Sequence, residues 1–162
     1  MKIAVVFYSF SGNTKRLASF LKEKFLEKKR EVDLIELKPV REETVFLKQC
    51  MQAFLKRKPE LLDVQCDLKN YELVIFSSPV WAFTFAPCLH SYFKKVKNLE
   101  GKQTVIILTY GSGAGADKAL KEMEEVILGF KTKIIFEAKI PGYKTKNEDY
   151  LAEKLEPLIE MV

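Results

Sequence analysis

The chain has 162 residues, which is the size of one ordinary domain, and its hydrophobic fraction of 48% excludes an intrinsically disordered protein. No apolar run approaches the roughly 20 residues that cross a bilayer, so we expect no membrane partner. The net charge of +5 favours an acidic partner, but the basic residues are interspersed with acidic ones, which indicates solvated helix faces and no nucleic-acid partner.

The first part of the chain alternates predicted strands with predicted helices. Residues 2–8 are nearly all apolar, as in a strand that is buried on both faces of a sheet. Apolar residues then recur at helical spacing before a second, alternating run. The predicted elements are a strand over 2–8, a helix over 13–29, a strand over 31–37, a helix over 42–56 that stops before Pro59, and a connection over 60–70.

The second part of the chain continues the same alternation. Pro87 suits the first turn of a helix, where its missing N–H is not needed, and Gly129 is a good helix stop. The predicted elements are a strand over 71–77, a helix over 87–96, a strand over 103–109, a helix over 115–128, a strand over 133–140 and a helix over 147–161.

Five strands that alternate with five helices predict a doubly wound α/β fold, with a parallel sheet covered by helices on both faces. We expect one such domain over residues 1–162. In these sheets the ligand lies beyond the carboxyl ends of the strands, where the strand order reverses. The loops of interest therefore follow the first, third and fourth predicted strands, at 9–14, 78–87 and 110–115.

The first of these loops, Ser9-Phe10-Ser11-Gly12-Asn13-Thr14, predicts a phosphate site. It offers three hydroxyls, one amide and a glycine at a helix N-terminus, where unpaired N–H groups favour an anion. It matches neither the P-loop pattern nor the dinucleotide fingerprint, and it holds no carboxylate for Mg²⁺ and no cysteine nucleophile. The alternative is that its hydroxyls only cap the helix.

This loop, after an apolar strand, resembles the FMN-phosphate loop of the flavodoxin family. Ser78-Pro79-Val80-Trp81-Ala82, followed by Thr84 and Pro87, looks like the second flavin loop of that family, and Tyr110-Gly111-Ser112-Gly113-Ala114-Gly115 looks like its third. The resemblance implies the strand order 2-1-3-4-5, with FMN at the switch point between strands one and three. The cofactor-binding residues implied are Ser9, Phe10, Ser11, Gly12, Asn13, Thr14, Ser78, Pro79, Val80, Trp81, Ala82, Phe83, Thr109, Tyr110, Gly111, Ser112, Gly113 and Gly115.

An isoalloxazine ring needs flat apolar walls and nearby backbone groups. Trp81 lies in a predicted loop and could stack on the ring, and Tyr110 could cover another face or edge; the alternative for both is packing. The glycines of the third loop let backbone N–H groups approach the ring, or serve as plain turn residues. The chain departs from the family in having Phe83 and Phe85, which could stack on the ring, narrow the site or block it.

Few other side chains offer chemistry of their own. Cys50, Cys66 and Cys88 form neither a disulfide framework nor a zinc spacing, which favours a reducing, cytoplasmic location. Cys88 lies near a predicted helix N-terminus and could be reactive, and His90 could approach the ligand, but a simple structural role is the better interpretation of each. We expect no metal and no catalytic side chain, so the flavin carries the chemistry.

Three functions are compatible with these predictions. The first is an electron carrier that uses FMN between redox partners; because the chain is basic, we expect an acidic partner protein. The second is an FMN-dependent NAD(P)H oxidoreductase that acts on quinones or similar small molecules. The third is a module that keeps the fold and has lost the flavin. The sequence allows a monomer or a homodimer.

Overall fold

The computed structural model describes residues 1–41 and 58–162; the predicted helix over 42–56, with Cys50, lies outside these ranges. No helix in the described ranges is long and apolar enough to cross a membrane. In chain order the elements are β1 (Lys2–Phe7), α1 (Asn13–Glu27), β2 (Glu31–Glu36), β3 (Leu73–Trp81), β4 (Thr84–Phe85), α2 (Pro87–Phe93), β5 (Gln103–Tyr110), α3 (Ala116–Leu128), β6 (Lys133–Pro141), a 3₁₀ turn (Gly142–Lys146) and α4 (Glu148–Met161).

The described strands form one sheet whose main path runs β2-β1-β3-β5-β6, with every neighbouring pair parallel. The two-residue strand β4 lies off this path and pairs antiparallel with the end of β3. With β4 set aside, this is the predicted order 2-1-3-4-5, so the predicted fold class is confirmed. The chain order reverses between β1 and β3, and the carboxyl ends of β1, β3 and β5 meet at one edge.

The central strands are buried on both faces because successive side chains enter two different cores. In β1, Val6 packs into one core with Phe76, and Val5 packs into the other with Ile75. The first core takes in α2 and α3, and the second takes in α1 and α4. Each fully buried aliphatic or aromatic side chain contributes about 1.5–3 kcal/mol relative to its exposed form. The rigid sheet edge that results positions the loops of the site.

Two predicted boundaries are wrong by more than two residues. The third strand does not end at residue 77: it continues to Trp81, turns over Ala82 and Phe83, and returns as β4. Both turn residues have positive φ, 46° and 67°, which is typical of two-residue hairpin connections. The predicted helix over 87–96 stops at Phe93.

The edge strand β6 carries a carboxyl group whose protonation affects stability. Partial desolvation of its carboxyl group, and then a hydrogen bond with Glu124 of α3 and the charge of Glu124, raise the pKa of Glu137 from 4.5 to about 7. Because this pKa is raised in the folded state, protonated Glu137 stabilises the fold. This stabilisation is fully present below the pKa of the unfolded state and is lost as the pH rises through the pKa of the folded state. Solvent screening at this exposed position reduces the effect to about 1 kcal/mol.

We therefore expect Glu137→Gln to flatten the pH dependence of folding. The free energy of unfolding, measured by urea titration at about pH 5 and about pH 8, should fall by about 1 kcal/mol less in the variant than in the parent protein. Glu156→Gln, at an exposed position of α4, is the matched control and should keep the parent slope. A Glu137→Gln protein with the full parent slope would contradict this account.

Candidate functional site

The loop between β1 and α1 turns sharply at Gly12, which has φ 84° and gives the helix no side-chain cap. Ser9 Oγ accepts a hydrogen bond from the Lys15 N–H at 3.2 Å, so the capping alternative holds for Ser9. Among the described residues, the N–H groups of Asn13 and Thr14 have no acceptor. The amino end of α1 therefore presents two unpaired donors, which suit an anion, and the binding of a phosphate there stays a prediction.

The remaining residues of this loop divide between surface and interior. Phe10 and Ser11 are exposed at the tip. Thr14 is only 1% exposed, and its Oγ1 lies 2.9 Å from the Oγ1 of Thr109, another predicted site residue at the end of β5. This buried hydroxyl pair joins the first loop to the third, and it turns the Thr14 hydroxyl inward.

The pair gives a prediction for stability. Thr14→Val should lower the free energy of unfolding by about 1–2 kcal/mol, because the hydroxyl of Thr109 is left buried without its partner. The double variant Thr14→Val with Thr109→Val should cost less than the sum of the two single variants, since no orphaned hydroxyl remains. Additive losses in chemical denaturation would show that the two hydroxyls do not act as a pair.

Asn13 is held by residues that the sequence did not single out. Its Oδ1 accepts a hydrogen bond from Arg16 Nη1 at 2.8 Å and lies 3.4 Å from Thr145 Oγ1. A Cβ added to Gly142 would lie 2.6 Å from Asn13 Nδ2, so the absence of a side chain there makes room for the amide. Gly142 could have been singled out from the sequence, because it directly follows a parallel strand at the sheet edge where the other site loops meet.

The second predicted loop is largely a hairpin, which corrects the sequence prediction. Ser78, Pro79, Val80 and Trp81 belong to β3, and only Ala82 and Phe83 form the turn. Ser78 is fully buried; its Oγ accepts a hydrogen bond from the Ala86 N–H at 2.8 Å. This bond ties the hairpin to the start of α2.

Trp81 packs in a hydrophobic core and also lines the cavity that is described next. It is 6% exposed and forms edge-on contacts with Tyr8 and Phe10, at centroid distances of 5.4 and 6.0 Å. Its placement in a loop outside the core was therefore wrong. Its contact with the flavin stays a prediction.

A cavity of about 410 Å³ lies where the hairpin meets the third loop. Its walls are residues 80–83 on one side and residues 110–114 on the other, so the structure brings together the second and third predicted loops. Phe83 stands at this cavity with 52% of its surface exposed. Cavities of this size hold small organic ligands.

Glycines of the third loop serve different purposes. Gly113 and Gly115 have positive φ, 82° and 78°. A Cβ on Gly115 would lie 2.8 Å from the Cα of Phe83, so the third loop and the hairpin approach each other at backbone distance. Gly111 has open space around it, and nothing in its geometry requires a glycine.

The other residues weighed from the sequence lie away from the cavity wall. Phe85 is fully buried and stacks on His90, with the two ring centroids 3.8 Å apart, so Phe85 does not narrow the site. The Thr84 hydroxyl lies 3.3 Å from His90 Nε2 and donates to Glu122 Oε2 at 2.6 Å; no pattern in the sequence pointed to Glu122. Cys88 is 3% exposed. Within the residues that the structure describes, no group of His, Cys, Asp and Glu is arranged to hold a metal.

Comparisons with known proteins agree with this geometry. The model of the family of NADPH-dependent FMN reductases matches residues 1–141. No curated protein matches the chain. A flavoprotein from Lactobacillus acidophilus NCFM, solved in complex with FMN, superposes with a TM-score of 0.71 at 21% identity, over 91% of this chain and 98% of its own.

Two flavodoxins are similar in fold over nearly the whole chain. The flavodoxin of Streptococcus pneumoniae TIGR4 has a TM-score of 0.62 at 16% identity, over 98% of this chain and 99% of its own. A flavodoxin from the domain Archaea has a TM-score of 0.59 at 16% identity, over 99% of each chain. The doubly wound sheet, with a strand-to-helix loop at its switch point, thus defines a flavodoxin-like protein. More specifically, the chain belongs to the family of NADPH-dependent FMN reductases.

FMN is the cofactor of this family, and the described residues fit it. The open N–H groups at the amino end of α1 suit the phosphate, and the cavity beside Trp81 and Tyr110 suits an aromatic ring. Which side chains touch the flavin stays a prediction for each residue named from the sequence.

Proposed function

We propose that the protein is an FMN-dependent oxidoreductase that takes electrons from NADPH and passes them to a small acceptor such as a quinone. The observation that carries the proposal is the open cavity between the hairpin turn and the third loop, in a chain that belongs to the FMN reductase family. Bound FMN supplies the chemistry, which is the uptake and release of a hydride.

The chain holds and encloses this cofactor. The open amides of Asn13 and Thr14 bind the phosphate, helped by the positive end of the helix dipole. Trp81 and Tyr110 give the ring apolar walls on the two sides of the cavity. Packed against a bound ring, these two side chains would shield it from water.

Phe83 gives the cavity an aromatic rim for the second reactant. Its side chain is half exposed at a turn that projects from the sheet edge. A nicotinamide or a quinone is planar and stacks favourably on such a ring. In this proposal Phe83 does not block the site; it offers the planar reactant a surface beside the flavin.

Anaerobic mixing with NADPH tests the proposal. The FMN-loaded protein, mixed with NADPH alone, should lose its visible flavin absorbance much faster than free FMN at the same concentration. Addition of a quinone should then restore the oxidised spectrum. No bleaching above the rate of free FMN would rule out direct reduction by NADPH.

An electron carrier is the second candidate, and two observations favour it. Phe10 and Phe83, 36% and 52% exposed, leave aromatic surface uncovered around the site, and the net charge of +5 suits an acidic partner protein. In this case NADPH alone leaves the flavin oxidised, and bleaching requires a separate reductase.

The third candidate is the module that has lost its flavin. It would be selected if the absorbance and fluorescence of added FMN are the same with and without the protein.

A further inference from the structure

The first turn of helix α1 carries positive charge, which is unfavourable at a helix N-terminus unless an anion binds there. Its first turn contains Lys15 and Arg16 and no acidic residue, whereas α3 begins with Asp117 and α4 with Glu148 and Asp149. Cations near a helix N-terminus are disfavoured, because that end already carries partial positive charge. A bound anion would reverse this effect.

The two cations have different surroundings. Lys15 Nζ lies 3.1 Å from Glu36 Oε2, so a carboxylate already balances its charge. Arg16 forms no ion pair with any residue in the described ranges, although Glu23 and Glu148 line the same groove of the surface. Arg16 is therefore the cation at this helix end whose charge is left uncompensated by the described part of the chain.

Arg16 is also held in place beside the phosphate loop. Its Nη1 donates to Asn13 Oδ1 at 2.8 Å. Nη1 and Nη2 lie 3.7 and 3.8 Å from the position that a Cβ on Gly12 would occupy. The side chain is half buried against the loop. An arginine carries five N–H donors in a fixed plane, and a single bond to Asn13 leaves others for a further acceptor.

We propose that Arg16 is the counter-ion of the flavin phosphate, and that it makes this site select a phosphorylated flavin over riboflavin. This inference rests on the proposed function, since it requires FMN at the α1 loop. It changes the expectation from the sequence, in which the loop offered only uncharged donors. A guanidinium and a phosphate form charge-assisted hydrogen bonds, which are stronger than neutral ones.

The test compares FMN with riboflavin in variants of this helix. Dissociation constants are measured by flavin fluorescence quenching at low and at moderate ionic strength. Arg16→Gln should weaken FMN roughly 10- to 100-fold and riboflavin less than about twofold, because riboflavin has no phosphate. The salt dependence of FMN binding should also become shallower. Arg16→Lys should recover part of the loss, since it restores the charge without the planar fork.

Lys15→Gln is the matched control, because it removes the same charge from the adjacent, already paired position. It should change FMN affinity less than about threefold. Equal weakening of FMN and riboflavin by Arg16→Gln would overturn the proposal and leave Arg16 a positioning role through Asn13. An unchanged FMN affinity would overturn it as well. If the parent protein binds neither flavin, the proposed function itself fails, which is a distinct result.

Discussion

Gly115→Ala should destabilise the protein by about 3 kcal/mol and weaken FMN binding at the same time. The new Cβ would lie 2.8 Å from the Cα of Phe83 and 2.3 Å from its ring. The ring can rotate away, but the backbone of a two-residue turn cannot move without shifting the hairpin. The positive φ of 78° adds about 1–2 kcal/mol of backbone strain.

Thermal unfolding and flavin titration would measure the two effects. For a chain of this length, about 3 kcal/mol corresponds to a fall in Tm of roughly 10 °C. Gly111→Ala is the matched control in the same loop, because nothing lies within 4 Å of its added Cβ. It should stay within about 0.5 kcal/mol of the parent. Equal stability of the two variants would show that the hairpin and the third loop do not approach each other as described.

The double variant Gly115→Ala with Phe83→Gly separates the ring from the backbone. Removing the ring eliminates the closest approach, and glycine relieves the φ of 67° at residue 83. The new Cβ still lies 2.8 Å from the backbone of residue 83, so we expect only partial recovery of Tm. The reference is Phe83→Gly alone, which has the same relief of backbone strain. A double variant with the Tm of Phe83→Gly alone would mean that the aromatic ring alone caused the conflict.

The central strands could be predicted from the sequence because their signal is local. Runs such as Val105-Ile106-Ile107-Leu108 are apolar at every position, which only a strand buried on both faces explains well in this context. The position of the first loop could be predicted as well, since a glycine and hydroxyls between an apolar strand and a helical pattern mark a strand-to-helix junction within six residues.

The hairpin could not be predicted because its residues lack the usual signs. A two-residue turn of this kind normally contains Asn-Gly or Asp-Gly, and here the turn is Ala82-Phe83. Pro79 argues against a central strand, yet it lies near the strand end, where the chain leaves the parallel sheet to pair with β4. Tertiary packing, including the Ser78 bond to Ala86, overrides these local preferences.

The contacts of Asn13 with Gly142 and Thr145 could not be predicted for a different reason, which is their distance along the chain. Asn13 and Thr145 are 132 residues apart, and only the folded sheet edge brings the 3₁₀ turn beside the first loop. Neither residue type carries a pattern that would pair them in a single sequence. The same holds for Thr14 and Thr109, which are 95 residues apart.

The close approach of Gly142 to Asn13 leads to the second large effect that we expect. Gly142→Ala should weaken FMN binding about tenfold while changing stability by less than about 1 kcal/mol. The added Cβ would lie 2.6 Å from Asn13 Nδ2, and a flexible side-chain end can move away at little cost to the fold. That movement breaks the bond from Arg16 to Asn13 and disturbs the loop that binds the phosphate.

An Asn13→Ala background tests whether the loss runs through this amide. Without the Asn13 side chain the closest neighbour of the new Cβ is the Tyr110 carbonyl at 3.3 Å, a distance that a shift of a few tenths of an ångström relieves. Gly142→Ala should then weaken FMN less than about twofold beyond the effect of Asn13→Ala alone, because coupled residues are not additive. If the tenfold loss persists in that background, the 3₁₀ turn acts on the flavin by a route that does not include Asn13.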